Sequence, residues 1–296
     1  MEGKLVADNI GRDDLRLVLA PNPSPMTERG TNSWIVGRGQ VAIIDPGPDD
    51  PRHLSAILGA LSPGEQVAAI LVTHAHRDHA GLAQGLAKAV DAPVVAFGGA
   101  RDGMRPAMAA LHLQAIGGGE GVASHFAPDR RLGDGEVVEA EGWRLEAIHT
   151  PGHMSNHLCL AWGDLCFTGD HVMGWSTSIV SPPDGDMQAY MHSLRRLSER
   201  GWRAFLPGHG PVIDRPSDRL GELIAHRLAR EASILDVLDY GPASASMIAA
   251  AIYEGTPSAL LPAAARNVLA HLLDLLERNR VSALGELALE TRFQRV

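Results

Sequence analysis

Residues 73–81 read Thr-His-Ala-His-Arg-Asp-His-Ala-Gly, which puts three imidazoles and a carboxylate within six positions. The run directly follows the apolar stretch Val67 to Val72, which reads as a buried strand. Polar side chains delivered to a strand end beside a core are costly unless something pairs with them, and a metal ion is the simplest partner. In an extended or turning segment His74 and His76 point to one side. Asp78 and His79 fall where the next helix begins and can face a second position nearby. The competing reading is a surface loop that happens to be rich in histidine. That reading gives no reason for the loop to follow an apolar strand.

Three further candidates stand at later strand ends. His153 closes His149-Thr-Pro-Gly-His153 after the strand Trp143 to Ile148, Asp170 closes Phe167-Thr-Gly-Asp170 after Leu165 to Thr168, and His209 lies in Leu206-Pro-Gly-His-Gly210 after Arg203 to Leu206. Each follows a tight glycine-containing turn, where backbone can swing close to an ion. Taken singly, each is equally well a turn histidine or an Asx-turn. Taken together they complete two half-sites. His74, His76 and His153 form one, Asp78, His79 and His209 the other, with Asp170 between them.

The rest of the chain fits an α/β catalytic body with an appendage. Leu15 to Ala20 reads as a strand, Asn32 to Gly37 and Gln40 to Ile44 as a hairpin around Arg38-Gly39, and Pro93 to Phe97 as a further strand. Pro51 to Leu61, Ala80 to Val90 and Met187 to Glu199 read as helices. Glu136 to Glu141 and His157 to Trp162 complete a strand-rich tract. Gly98 to Pro128 has no clear period, and an irregular stretch of that length is often a lid or binding loop. Beyond Pro216 the pattern turns helical over 217–239, 244–253 and 262–279, and Val281 to Val296 reads as a two-stranded wing around Gly285. The expected division is a catalytic domain over 1–215 and a winged-helix-like domain over 216–296.

Composition narrows the setting. The apolar fraction of 45% supports a real core, and no run approaches the roughly 18 to 20 apolar residues of a membrane helix. The N-terminal residues carry acidic side chains and no apolar stretch, so no signal peptide is expected. Cys159 and Cys166, the two cysteines, lie on expected strands as core residues rather than a disulfide framework. A cytoplasmic protein without a membrane partner is the expectation. The net charge of −9 argues against a general polyanion-binding surface. The appendage repeats that caution, with eight Lys and Arg against ten Asp and Glu over 217–296. It is therefore expected to act as a cover and dimer element before a nucleic-acid reader. The strip His226, Arg227, Arg230 is expected to be solvated or to pack on the catalytic body, with RNA contact as the alternative. The surplus apolar stretch Met247 to Tyr253 is expected to pack on that body or on a second chain, as in a homodimer.

The segment His-Ala-His-Arg-Asp-His, followed in order by His153, Asp170 and His209, resembles the metallo-β-lactamase superfamily over about residues 15–215. That resemblance implies an αββα sandwich with the metals at one edge, and it casts Asp45 of Ile44-Asp-Pro-Gly47 as the buried aspartate that supports the ligand loop. Several lactamases place a cysteine where Asp170 stands here. The carboxylate is instead typical of the glyoxalase II, lactonase and nuclease branches, so antibiotic hydrolysis is not expected. Asn22-Pro-Ser-Pro-Met-Thr-Glu-Arg-Gly-Thr-Asn32 and the C-terminal appendage look like the lactamase-like endoribonuclease family, whose mitochondrial member cuts single-stranded RNA.

The expected chemistry is hydrolysis of an ester-type bond by a hydroxide held between two divalent ions. Zinc suits the histidine-rich set, and manganese or iron fits the mixed imidazole and carboxylate donors. Asp78, His157 and His171 are the candidates for catalytic roles. His171 adjoins Asp170 and His157 lies four residues beyond His153, so either is placed to protonate a leaving group or to sit satisfied in a strand. Single-stranded RNA is the first substrate class expected, and a small thioester or lactone of the glyoxalase II type is the alternative. A non-catalytic metal-binding protein is the remaining alternative, and no ligand is missing as it would require.

Overall fold

The computed structural model describes residues 10–113, 118–255, 257 and 260–296. Its first sheet runs in sequence order through β1 (Leu15–Leu19), β2 (Asn32–Arg38), β3 (Gln40–Ile44), β4 (Gln66–Leu71), β5 (Val94–Ala96) and β6 (Arg130–Arg131). β1, β2 and β3 pair antiparallel, and β3 to β6 pair parallel. The second sheet is the antiparallel meander β7 (Val137–Ala140), β8 (Trp143–His149), β9 (Leu158–Trp162) and β10 (Leu165–Gly169). It is closed by β11 (Ala204–Pro207) parallel to β10.

The sheets face each other across a core in which Trp34, Val36 and Ile44 meet Leu145, Leu160 and Phe167. Their outer faces are covered too. α1 (Pro51–Gly59) and α3 (Ala83–Val90) put Ile57 and Leu86 over Ile35, Ile43 and Ile70. α5 (Met187–Ser198) puts Tyr190, Leu194 and Leu197 over Cys159, Cys166 and Phe205. Strands covered on both faces lose the apolar–polar alternation, and Leu158–Trp162 is accordingly buried at every position. Both cysteines are free and buried in this layer. The result is the αββα order of layers.

The helix expected from Ala80 onward is split. α2 (Arg77–Ala80) ends at Gly81, and α3 starts at Ala83. A Cβ at Gly81 would lie 2.4 Å from the Arg77 carbonyl oxygen and 2.8 Å from the Asp49 amide nitrogen. Only glycine fits between the ligand turn and the loop after β3. The stretch 98–128 is also less irregular than expected, because α4 (Pro106–Leu113) forms within it. Its nearly uniform apolar and alanine content carries no 3.6-residue alternation, so the pattern does not announce it. Residues 114–117 of that stretch lie outside the described residues.

The C-terminal part comprises α6 (Pro216–Leu238), α7 (Ala245–Ile252), α8 (Leu261–Glu277) and a small sheet. β14 (Arg292–Arg295) lies between β12 (Ala243–Ser244) and β13 (Val281–Leu284) in that sheet. Ile234, Ile248, Val268, Leu272, Leu275 and Phe293 form its core. Met108 and Leu111 of α4 enter the same cluster and tie the insertion to it. Ile248, Ala249, Ile252 and Tyr253 pack into this core, so the apolar surplus is spent locally and leaves Met247 exposed. The expected division at 215/216 falls at the first residue of α6. That helix serves both cores, with Leu220 and Leu223 beneath α5 and Ile234, Leu235 and Leu238 in the C-terminal cluster. Among the described residues no helix is long and apolar enough to cross a membrane.

Candidate metal centre

His74, His76, Asp78 and His79 leave the end of β4 and enter α2, His153 follows β8, Asp170 follows β10 and His209 follows β11. The strands deliver all seven side chains to one edge of the sandwich. His74, His76 and His153 form one group, His74, His79 and Asp170 a second, and Asp78, His79 and His209 a third, with ligand atoms inside each group no more than 4.8 Å apart. Gly208 makes the approach of His209 feasible, since a Cβ there would meet His79 Cε1 at 2.6 Å and Asp170 Oδ1 at 2.8 Å.

For four of the five rings, all but His76, a hydrogen bond on the far side assigns which nitrogen is free to bind. His153 Nδ1 donates to the Ile179 carbonyl at 2.7 Å, and His209 Nδ1 to the Gly30 carbonyl at 3.2 Å. His79 Nδ1 donates to Asp45 Oδ2 at 2.9 Å. Thr73 donates its hydroxyl to Asp45 Oδ2 at 2.8 Å, so its oxygen accepts from His74 Nδ1 at 3.0 Å. In each neutral ring the proton is on Nδ1, and Nε2 carries a lone pair aimed into the cluster. His74 Nε2 and His153 Nε2 then converge on His76 Nδ1 at 2.9 and 3.0 Å, and His79 Nε2 faces His209 Nε2 at 3.1 Å. Nitrogens meeting at such distances repel, whether they carry lone pairs or protons, unless a shared proton or a metal cation lies among them. Asp170 Oδ1 is buried without a hydrogen-bond partner among the described residues, 3.3 Å from His79 Nε2 and 3.4 Å from His209 Nε2. Its Oδ2 lies 3.7 Å from His153 Nε2, so one oxygen faces each half of the cluster. Donor types, lone-pair directions and the orphaned carboxylate all fit two divalent ions.

Asp45 organises this arrangement from behind. It sits at φ 51°, unusual for a residue with a side chain, and its Oδ1 accepts the Thr73 amide at 2.8 Å while Oδ2 reaches Thr73 and His79. One buried carboxylate thereby orients a ring in each half of the cluster.

The two halves differ in charge. Burial, reinforced by neighbouring imidazoles, holds His74 well below the usual histidine range and His76 down at about 3. Burial also lowers His153. Around His79 and His209 burial acts the same way, but carboxylates outweigh it. Asp170, Asp78 and Asp45 raise His79 well above its usual value, and Asp170 with Asp78 lifts His209 to about 9. Asp78 falls to about 2, since His79 and His209 overcome the burial that would raise it.

A cavity of about 450 Å³ opens onto the cluster. His76, Asp78, His153 and Asp170 line it together with the apolar side chains of Met26, Met173, Ile179, Pro262 and Ala263. Arg266, Glu120 and Asp184 supply charge, with Arg266 Nη2 bonded to Glu120 Oε1 at 2.6 Å. Pro262, Ala263 and Arg266 come from α8, so the C-terminal part forms one wall. Nothing local in the sequence pointed to these wall residues, because they reach the metal edge only through docking of the appendage.

His157 and His171 are brought close but stay out of this cavity. The His157 ring centroid is 5.2 Å from that of His74, and the His171 ring lies 5.7 Å from His157, both rings fully buried. His157 Nδ1 pairs with Thr150, while His157 Nε2 and both nitrogens of His171 have no hydrogen-bond partner among the described residues. A donor to a leaving group must reach the substrate, and in this arrangement neither ring does. Asp78 does line the cavity.

Residues 26–209 match the metallo-beta-lactamase superfamily, and residues 244–288 match the beta-lactamase associated winged helix domain. A Drosophila melanogaster protein named beta-lactamase-like protein 2 homolog is 30% identical, covering 87% of this chain and 86% of that protein. A Cryptosporiopsis protein named atrochrysone carboxyl ACP thioesterase is 31% identical, covering 75% of this chain and 62% of its own length. Among solved structures, a beta-lactamase domain protein from Burkholderia ambifaria shares the fold at a TM-score of 0.78 and 24% identity, over 96% of this chain and 91% of that one. The superfamily match takes in every member of the strand-end cluster, from His74 to His209, and the chain belongs to the metallo-beta-lactamase superfamily as a metal-dependent hydrolase with a C-terminal winged-helix domain.

Proposed function

We propose that the protein hydrolyses a small thioester or ester with an apolar acyl part, at a two-metal centre held by His74, His76, Asp78, His79, His153, Asp170 and His209. The observation that carries this reading is the cavity of about 450 Å³ that runs from those ligands to Met26, Met173, Ile179, Pro262 and Ala263. Its size suits a small molecule and its walls suit an acyl chain. Relatives named as acyl carrier thioesterases support the same class. Single-stranded RNA fits less well. Arg266 already pairs with Glu120, and Glu120 and Asp184 would set negative charge against a phosphate backbone.

Two divalent ions at the centre, zinc in the first instance with manganese or iron as alternatives, would supply a nucleophilic hydroxide near neutral pH and polarise the carbonyl. The protein's own groups do the rest. His74, His76 and His153 present neutral Nε2 and Nδ1 donors, and Asp170 offers one oxygen to each half-site. Asp78, ionised and open to the cavity, is placed to accept a hydrogen bond from the attacking water and orient it. The apolar wall seats the acyl group and excludes bulk water, while His157 and His171 pack behind the ligand rings.

The test is a substrate panel with zinc- or manganese-reconstituted protein: acyl-pantetheine thioesters, S-lactoylglutathione, homoserine lactones, bis-p-nitrophenyl phosphate and RNA oligomers. Thioester or lactone turnover that improves with acyl length, and that Ala263→Phe blocks for the longer acyl groups, is the expected result. Efficient RNA cleavage with no turnover of any acyl substrate would overturn the reading.

A further inference from the structure

The segment from Asp170 to Asp186 links β10 to α5 without regular secondary structure, yet it carries Asp170 at its start and the Ile179 carbonyl that orients His153. Irregular backbone beside a metal site must have its polar groups satisfied from elsewhere. Here they are satisfied from the C-terminal helices. Arg219 of α6 donates to the Met173 carbonyl at 2.8 Å and to the Ser176 carbonyl at 2.7 Å. Arg227 of α6 donates to the Ser178 carbonyl, and its other terminal nitrogen reaches Asn267 Oδ1 at 3.2 Å. Asn267 of α8 uses the same oxygen to accept the Val180 amide at 3.1 Å.

Ser178 carries the effect onward. Its hydroxyl lies 2.5 Å from the Asp170 carbonyl and 2.9 Å from the His171 carbonyl, and its single proton is shared between the two acceptors. The residues gripped by Arg227 and Asn267 therefore flank Ile179 on both sides and tie back to the backbone of Asp170. Arg227 is only 2% exposed, and among the described residues its Nε has no partner and its other contacts are the Asn267 side chain, a carbonyl and the face of Tyr190 at 5.1 Å. A buried guanidinium with no carboxylate paired to it among the described residues is a poor device for stability, since an apolar side chain of similar volume would avoid the desolvation. The cost is accounted for if the fork fixes a geometry that an apolar residue cannot.

We propose that Arg227, seconded by Asn267, is a positioning residue for the metal centre, through which the winged-helix part sets the placement of Asp170 and His153. The inference rests on the metal-centre reading above. Two functions thus meet in the appendage: α8 walls the cavity, and α6 with α8 holds two ligands in place from behind.

The test compares wild type with Arg227→Met, Arg227→Lys and Ser178→Ala, reading zinc affinity by chelator competition alongside the melting temperature of metal-free protein. Partners that orient ligands are typically worth about 10–100-fold in metal affinity. Arg227→Met is expected to fall in that range and Ser178→Ala near its lower end. Arg227→Lys, which keeps the charge but loses the planar fork, should fall between wild type and Arg227→Met. Should Arg227→Met fail to fold, Ser178→Ala decides, since losing one hydroxyl leaves the packing in place. Lower melting temperatures with unchanged zinc affinity would show a purely structural role and overturn the inference. Wild-type protein that takes up no zinc would instead sink the metal-centre reading, so the two failures are distinguishable.

Discussion

Around His74 and His76, burial and neighbouring imidazoles decide the balance, and these rings are neutral across the physiological range. Around His79 and His209 the carboxylates of Asp170 and Asp78 decide it, and without metal those rings hold protons, His209 up to about pH 9. Both half-sites are cut from the same residue types at the same edge of the same sandwich. What differs is the count of carboxylates nearby. The first is therefore a preformed neutral cage, while the second must exchange protons for metal. Asp170 belongs to both, and Asp45 supports both.

Removing the shared ligand should have the largest effect. Asp170→Ala is expected to abolish turnover on every substrate, because it takes away the group that faces both ions and leaves two dications repelling each other. Steady-state assays and metal analysis of the same preparation check this, and normal turnover would break the two-metal account.

Asp45→Asn should come next, with metal affinity falling about 10–100-fold. An amide cannot accept from the Thr73 amide, the Thr73 hydroxyl and His79 together, so both half-sites should weaken. Isothermal titration resolving two binding steps would show it, and a loss confined to one step would contradict a shared support.

The pH dependence should separate the halves. For the second half-site, each proton displaced from His209 or His79 costs about tenfold in metal affinity per pH unit below the raised pKa. Its apparent affinity should climb from pH 6 to pH 9, while that of the first half-site stays nearly flat. Metal-free protein should show the opposite sign in stability. A raised folded-state pKa contributes stability that is complete below the unfolded value near 6.5 and is lost as pH rises through about 9. Parallel pH profiles for both metals would refute the contrast.

Thr73→Val should have the smallest effect, roughly tenfold or less, felt by the first half-site alone. It removes the oxygen that accepts from His74 Nδ1 while leaving the bond between Asp45 and His79. Equal weakening of both steps would show that Thr73 acts through Asp45 rather than through His74.

The candidate ligand cluster was legible in the sequence because its members follow apolar strands, His74 to His79 directly after Val72-Thr73 and His153, Asp170 and His209 through glycine turns, a pattern carried by neighbouring residues. The sandwich was legible for the same reason, apart from the two-residue β6, which is too short to leave a period, and α4, which is too uniformly apolar to show one. What local pattern could not show was anything set by docking. The strip His226, Arg227, Arg230 read as solvated or packed, and nothing in it indicated a carbonyl contact at Ser178, 49 residues away. Pro262 and Ala263 read as an ordinary helix start, and they become a cavity wall only when α8 lies beside the metal edge. His157 and His171 failed in the opposite direction, since closeness in sequence to His153 and Asp170 suggested access to the substrate, while the fold turned both rings inward.

The most direct measurement is metal content in wild-type protein reconstituted with zinc, dialysed and analysed at pH 8 and again at pH 6. Two ions per chain at pH 8, with one released first as the pH falls to 6, is the expected result. Protein that retains no metal at either pH, after reconstitution with zinc and with manganese, would contradict the assignment of the seven ligands.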